Sequence, residues 1–358
     1  LFAVHAGRNV DNASQTMTSR ELRLALRAAV LLILPRCMAQ TGGTTPTGIF
    51  SPKATPAHLI FGLSVLVLAV TAAIFFTVAG ILTYVLIRYR RRHPDSAASE
   101  PPQIYGSNRI EVSWTVIPIL IVVVLFLTSA RVIFSTESAG KPDTALDVIV
   151  IGHRYWWEFR YPKLGIVTAN ELHIPVSDPR HPTPTYLEMS SADTDHSFWV
   201  PRLAGKMDLI PNRVNVMWLD PEMPGLYLGQ CAQYCGTQHA KMLLRVYAQS
   251  PADFESWVAA QRPPANSASG DGESVFLSNA CVNCHTVAGT AAKGRFGPDL
   301  THLAGRDTIA SGAVPNTPAN LRKWIDNPDL LKPGCLMPAM HLNAHELDAV
   351  TAYLATLR

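Results

Sequence analysis

The sequence predicts three modules of different fold class in one chain: a two-helix transmembrane hairpin, an all-β domain and a small all-α domain at the C-terminus. Three observations carry this. Two long stretches hold no charged residue, and the middle of the chain alternates short β-rich runs with Pro- and Gly-bearing turns. Beyond these, the C-terminal part carries Cys-Val-Asn-Cys-His followed by helical patterns. A length of 358 residues leaves room for two or three domains. The formal net charge of +3 is small, and aromatic residues are not interleaved with basic runs, which argues against nucleic acid as a partner.

Residues 1–39 read as a leader. Met17, a candidate initiator, is followed by Arg20, Arg23 and Arg27, then by the apolar run Ala28 to Pro35 and small residues ending at Ala39, the pattern of a secretory signal peptide. Cys37 lacks the small residues expected before a lipidated cysteine. The hairpin is expected over 55–137. No Asp, Glu, Lys or Arg occurs from Ala54 through Ile87, and a helix over 58–87 would extend roughly 45 Å, enough to cross a bilayer with tilt. A second uncharged run covers Val112 to Ala130 and continues loosely to Phe134, giving a helix over about 112–134. Between them Arg88-Tyr89-Arg90-Arg91-Arg92-His93 forms a positive loop, which the positive-inside rule places in the cytoplasm.

The β-domain is expected over 144–260, with strands at 146–151, 155–161, 185–189, 214–219 and 243–248, as an antiparallel barrel or sandwich. Residues 261–272, rich in Pro, Ser, Ala and Gly, read as a linker. Residues 273–358 then form the helical domain. Its last helix is announced by Asn343 and Glu346, a capping pair, and by the apolar face of Leu347, Val350, Leu354 and Leu357.

Two clusters carry chemistry. Cys231, Cys235, His239 and Met242 lie within twelve residues, and a lone His196 precedes them by 35 positions. Thiolates, imidazoles and a thioether are soft ligands that select copper or iron–sulfur centres over hard cations. A disulfide would leave His239 and Met242 unexplained, and zinc has little use for a thioether. The set suffices for two copper ions bridged by two sulfurs. The second cluster, Cys281-Val282-Asn283-Cys284-His285, is the attachment pattern of a c-type haem, with His285 as one axial ligand. A methionine as second axial ligand suits electron transfer. Met337 is the favoured candidate and Met340 the alternative, while His302, His341 and His345 are expected at the surface. Four of six cysteines serve these motifs; Cys335 is left over and reads as a buried thiol beside the haem.

With these residues in view, the chain resembles subunit II of a haem–copper cytochrome c oxidase, in the bacterial variety that carries a cytochrome c domain fused at its C-terminus. The resemblance spans residues 55–358. It implies a cupredoxin fold (a Greek-key β-barrel) holding a dinuclear copper centre, CuA. Cys231 and Cys235 would bridge both metals, and His196 and His239 would bind one each. Met242 would be a weak ligand, and the backbone carbonyl of Gln233 would complete the set. In the family's commonest pattern position 233 is a glutamate that also reaches magnesium. Gln233 keeps the carbonyl and lacks the carboxylate, which leaves magnesium binding unsupported.

The C-terminal domain would be a class I cytochrome c, with Phe296-Gly297-Pro298-Asp299-Leu300 as the loop whose proline carbonyl supports the axial histidine. In the stretch Gly152-His153-Arg154-Tyr155-Trp156-Trp157 the family's electron-accepting tryptophan falls at Tyr155, so Tyr155, Trp156 and Trp157 mark the expected point of electron uptake. Glu111 falls where the family has the mouth of a proton path. The implied function is electron input to a terminal oxidase. Oxygen reduction and proton pumping take place in subunit I, so no residue of this chain is expected to be catalytic. Implied partners are subunits I and III, membrane lipid and an upstream donor such as cytochrome c or a quinol:cytochrome c reductase. The implied place is the bacterial plasma membrane, with both redox domains on its outer face. The alternative is a membrane-anchored copper/haem electron carrier, or a copper-delivery protein, outside any oxidase.

Overall fold

A computed structural model describes residues 47–90, 103, 105–137, 140–143, 145–178, 183–262 and 270–358. The leader over 1–39 with Cys37, residues 91–93 of the positive loop and the centre of the linker lie outside the described residues.

The two uncharged runs form α1 (Thr55–Arg88) and α2 (Asn108–Glu137), each reaching a few residues beyond the expected limits. Pro56 in the first turn sets φ for helix entry without costing a hydrogen bond. Apolar surroundings would penalise free hydroxyls, and the helices satisfy theirs internally. Ser64 donates to the Ile60 carbonyl, Thr77 to Ala73 and Ser113 to Arg109. Both helices are long and apolar enough to cross a membrane. Their large side chains stand exposed on all sides, among them Phe75, Leu86, Val122 and Phe126, which suits hydrocarbon as the surrounding phase and not water. The hairpin is tied to one end of the β-domain: Thr55 N donates to Asp220 Oδ1 at 2.9 Å, and Trp218 Nε1 donates to the Thr136 carbonyl at 2.8 Å.

The β-domain holds β1 (Leu146–His153), β2 (Trp156–Tyr161), β3 (Ile166–Ala169), β4 (Glu171–Pro175), β5 (Thr185–Ser191), β6 (His196–Trp199), β7 (Met207–Leu209), β8 (Asn215–Leu219), β9 (Gly225–Cys231) and β10 (Leu243–Gln249). They form two five-stranded sheets, ordered β3-β2-β1-β5-β8 and β4-β10-β9-β6-β7. Most neighbours are antiparallel, but β1 pairs with β5 and β10 with β4 in parallel. Each parallel pair lies within one sheet and joins strands from separate parts of the chain, which passes between the sheets from β3 to β4 and from β4 to β5, as in a Greek-key cupredoxin sandwich. Along β1 and β10 every second residue is buried, the period of a strand with one face inward. Trp157, Phe159, Leu187, Met189, Phe198 and Leu209 fill the space between the sheets. A helix α3 (Pro251–Gln261), capped by Ser250, lays Trp257 over His173 with ring centroids 4.4 Å apart.

The C-terminal domain consists of α4 (Asp271–Ser278), α5 (Cys281–Cys284), a two-stranded ribbon of β11 (Thr308–Ile309) and β12 (Val314–Pro315), α6 (Pro318–Asp326), α7 (Pro328–Leu331) and α8 (Ala344–Leu354). Asp271 and Gly272, placed in the linker by composition, are already helical. Gly272 is needed there because α4 crosses α8 so closely that a Cβ would strike the Ala349 carbonyl. At the start of α8 the capping box is complete, with Asn343 Oδ1 accepting from Glu346 N and Glu346 Oε2 from Asn343 N, both at 3.0 Å. Leu347, Val350 and Leu354 point inward as the pattern predicts, joined by Tyr353.

Candidate metal and cofactor sites

The first site forms where β6, the end of β9 and the 232–242 loop meet. Cys231 ends β9, His196 opens the neighbouring β6, and the loop turns back so that Met242 lies just before β10. The two cysteines are free thiols with their Sγ atoms 3.9 Å apart. Cys231 Sγ lies 3.9 Å from His196 Nδ1 and 3.1 Å from the Gln233 carbonyl. Cys235 Sγ lies 3.8 Å from His239 Nδ1 and 3.9 Å from Met242 Sδ. Each sulfur thus has its own imidazole, and the two halves meet at the sulfur pair. Both thiols, His196 and Met242 are buried, while His239 is partly open and Gln233 exposed.

Neighbours hold the ligands in place. Asp193 Oδ1 lies 2.9 Å from His196 Nε2, so Nδ1 faces the sulfurs. Burial opposes a charged His196, but Asp193 and Cys231 outweigh it and raise its pKa. A Cβ at Gly152 would come within 2.8 Å of the His196 ring, so only glycine leaves room for it. The thiol pair shares protons unevenly. A hydrogen bond from Cys235 lowers the pKa of Cys231, and that same contact raises the pKa of Cys235.

The second site is an apolar cavity of ≈ 260 Å³ in the helical domain. Cys281, Cys284 and His285 lie on one side, and Met337 and Met340 both line it from the loop before α8. His285 Nδ1 lies 2.8 Å from the Pro298 carbonyl, which fixes the ring through its back edge. Gly297 is pressed against that ring, since a Cβ there would lie 2.5 Å from it. Cys335 also lines the cavity, half-buried. His341 and His345 are exposed as expected, whereas His302 is buried, packed in just ahead of the short turn at Leu303–Gly305.

The cavity's outer wall comes from the β-domain: Arg154, Tyr155 and Trp156 line it. Trp156 also stacks on His153 with centroids 4.1 Å apart. Trp157 points the other way, fully buried and edge-on to His196. Glu111 lies in the first turn of α2, exposed.

Family models match three consecutive parts of the chain. Residues 45–132 match the transmembrane domain of cytochrome c oxidase subunit II, 181–249 its periplasmic domain, and 269–358 cytochrome c. Cytochrome c oxidase subunit 2 of Alkalihalophilus pseudofirmus is 33% identical over 91% of this chain and 94% of its own length. The chain belongs to the cytochrome c oxidase subunit 2 family. The subunit of the same name from Bacillus subtilis is 30% identical over 94% of this chain and 97% of its own. A quinol oxidase subunit 2 from that organism is 32% identical over 65% of this chain. The periplasmic domain of subunit II of cytochrome oxidase from Bradyrhizobium japonicum, a solved structure, is 25% identical, with a TM-score of 0.32, and covers 34% of this chain and 97% of its own. As a member of the oxidase subunit 2 family with a cytochrome c domain, the chain is part of an oxidoreductase of the haem–copper class and is membrane-anchored through its two apolar helices.

The residues present fit both groups that this family implies. For copper, the side-chain donors are soft and reduced, and each sulfur of the pair has an imidazole of its own. For haem, the cavity is mostly apolar, with Arg306 among the few charged side chains on its wall. That guanidinium is buried, lines the cavity, and leaves Nε without a hydrogen-bond partner among the described residues. A buried cation with a spare donor suits the carboxylates that a haem carries on one edge. Asp193, Gly152 and Arg306 are contributions the motifs did not announce. Of these only Asp193 had a local signal, as an acidic residue three before a candidate ligand histidine.

Proposed function

We propose that this chain takes in electrons at a haem c held by Cys281, Cys284, His285 and Met337, and passes them to a CuA pair. That pair would be held by Cys231, Cys235, His196, His239, Met242 and the Gln233 carbonyl. From there they go to subunit I, where oxygen is reduced to water and protons are pumped. When bound, the two groups supply one-electron redox chemistry without proton transfer at either site. The chain's own part is to hold, orient and shield. Paired sulfurs, each with its own imidazole, would hold the two metals, and the surrounding strands keep these donors in place. The Pro298 carbonyl keeps His285 in one orientation, and the mostly apolar cavity would shield a bound haem from water.

The observation that carries this reading is the shared wall: the cavity of the helical domain is closed by Arg154, Tyr155 and Trp156 of the copper domain. That supports electron uptake at Tyr155 and Trp156 from a donor fused to the same chain. The positive residues Arg88, which ends α1, and Arg90 just beyond it support a cytoplasmic turn, with both redox domains on the outer face. Glu111, at the start of α2, is then on the cytoplasmic side, where a proton path into subunit I would open. A soluble cytochrome c or a quinol:cytochrome c reductase is the upstream donor in this scheme, and subunit III completes the complex.

Electron paramagnetic resonance of the purified chain tests the copper assignment. Two coppers per chain sharing one unpaired electron are expected; one isolated type 2 copper, or none, overturns it. For the haem, Met337→Ala should abolish the methionine–iron charge-transfer band while Met340→Ala leaves it. The reverse outcome would make Met340 the ligand.

A further inference from the structure

The two redox domains are joined by a contact with a buried charged side chain at each end. At one end Glu171 of the β-domain, 2% exposed, accepts from Asp307 N at 3.1 Å, Thr308 N at 2.9 Å and Thr308 Oγ1 at 2.8 Å. At the other end Lys332 of the helical domain, 3% exposed, donates to the Tyr155 carbonyl at 2.8 Å and approaches the Ala310 carbonyl at 3.5 Å. Lys332 also lines the haem cavity.

The grip of Lys332 falls on a consequential residue. Tyr155 belongs to the wall of the haem cavity, and its ring rests on the copper loop. A Cβ at Gly236, next to Cys235, would lie 2.5 Å from the Tyr155 hydroxyl. Around Lys332 the same segment touches that loop twice more. Lys241 Nζ donates to the Leu331 carbonyl at 3.2 Å, and Gly334, at φ +79°, packs so that a Cβ would come 2.8 Å from Thr237 Cγ2. Burial pushes the Lys332 ammonium down to about 7. An apolar side chain of similar length would fill this place without desolvating a charge, so filling space does not account for a lysine here. What a lysine adds is a strong, directed bond to one carbonyl.

We propose that Lys332 is a positioning residue that fixes the Arg154–Trp156 wall of the haem cavity, and with it the Tyr155 ring on the copper loop. Resting on the electron-relay reading above, this makes the passage from the helical domain to the sandwich depend on one ammonium–carbonyl bond. Electron transfer falls off steeply with small displacements of the groups between donor and acceptor, so loosening this wall slows it without altering either ligand set.

The test uses the full chain in its assembled oxidase and compares Lys332→Met, which keeps the length and apolar stem, with Glu171→Ala at the opposite end of the contact. The first readout is hydrogen exchange, which needs no turnover. Lys332→Met should speed exchange about tenfold over 153–157 and leave 306–309 unchanged, and Glu171→Ala should do the opposite. The second is flash-initiated oxidation of the haem, expected to slow about tenfold in Lys332→Met with the charge-transfer band and the copper resonance unaltered. Unchanged exchange over 153–157, or equal loosening of both segments by Lys332→Met, would overturn the proposal. Failure of the relay reading looks different: the unsubstituted protein would then show no haem-to-copper transfer at all, while the exchange comparison would stand.

Discussion

Replacing Cys235 by serine is expected to lower the copper content from two per chain to one or none, and to cut electron delivery to subunit I by at least about a hundredfold. The reason lies in the division of the site. Cys235 is the sulfur that contacts both His239 and Met242, while Cys231 contacts His196 and the Gln233 carbonyl. Without Cys235 the second half keeps an imidazole and a thioether but loses the anion that binds them to the first. A serine hydroxyl does not ionise near neutral pH, so it cannot supply that charge. Metal uptake in the unsubstituted protein must also displace the proton that Cys231 pushes onto Cys235, so loading should release protons and weaken as pH falls. The sandwich itself should survive, because its core of Trp157, Phe159, Phe198 and their neighbours does not depend on the thiol. Metal analysis together with far-ultraviolet circular dichroism separates the two effects. A serine variant that retains two coppers and the shared-electron resonance would remove Cys235 from the bridge.

What the sequence made legible follows from how far apart the cooperating residues are. Cys231, Cys235, His239 and Met242 lie on one turn of chain, so their chemistry could be read as a word, and His196 stood out because a soft cluster of four lacked its second imidazole. The hairpin was readable because hydrocarbon asks for nothing but a long uncharged run. The capping box at Asn343 and Glu346 is local for the same reason. Gly152 was not legible: it matters only because β1 passes behind His196, a contact across 44 positions that no spacing rule encodes. Arg306 and Lys332 were equally silent, since a basic residue in a polar stretch reads as solvated until the fold buries it. Sheet topology was also beyond reach. Parallel pairing of β1 with β5 and of β4 with β10 is decided by packing between sheets, while each strand alone shows only its alternation. Trp157 illustrates the limit within a motif: it is adjacent to Trp156 in sequence, yet the strand period sends it to the opposite face.

Preparing the chain without haem, through Cys281→Ser with Cys284→Ser and His285→Ala, is expected to unfold residues 270–358 while the sandwich stays folded. The core of this domain is built around the cavity: Phe276, Leu300, Ile309, Leu321, Val350 and Leu354 belong to its apolar cluster and line the cavity as well. Leaving ≈ 260 Å³ empty would cost about 6 kcal/mol at roughly 24 cal/mol per Å³, comparable to the whole stability of a domain this small. Arg306 adds to the loss, since its buried guanidinium would face the void with an unpaired Nε. Against this stand the contacts to the sandwich at Glu171 and Lys332, which tether the segment but do not fill its centre. Hydrogen exchange should therefore show protection lost across α4 and α8, with β1 and β10 as slow as before, and trypsin should cut first within the C-terminal part. If α4 and α8 stay protected in the haem-free chain, the collapsed side chains alone form an adequate core, and the cavity would not be the place a prosthetic group has to fill.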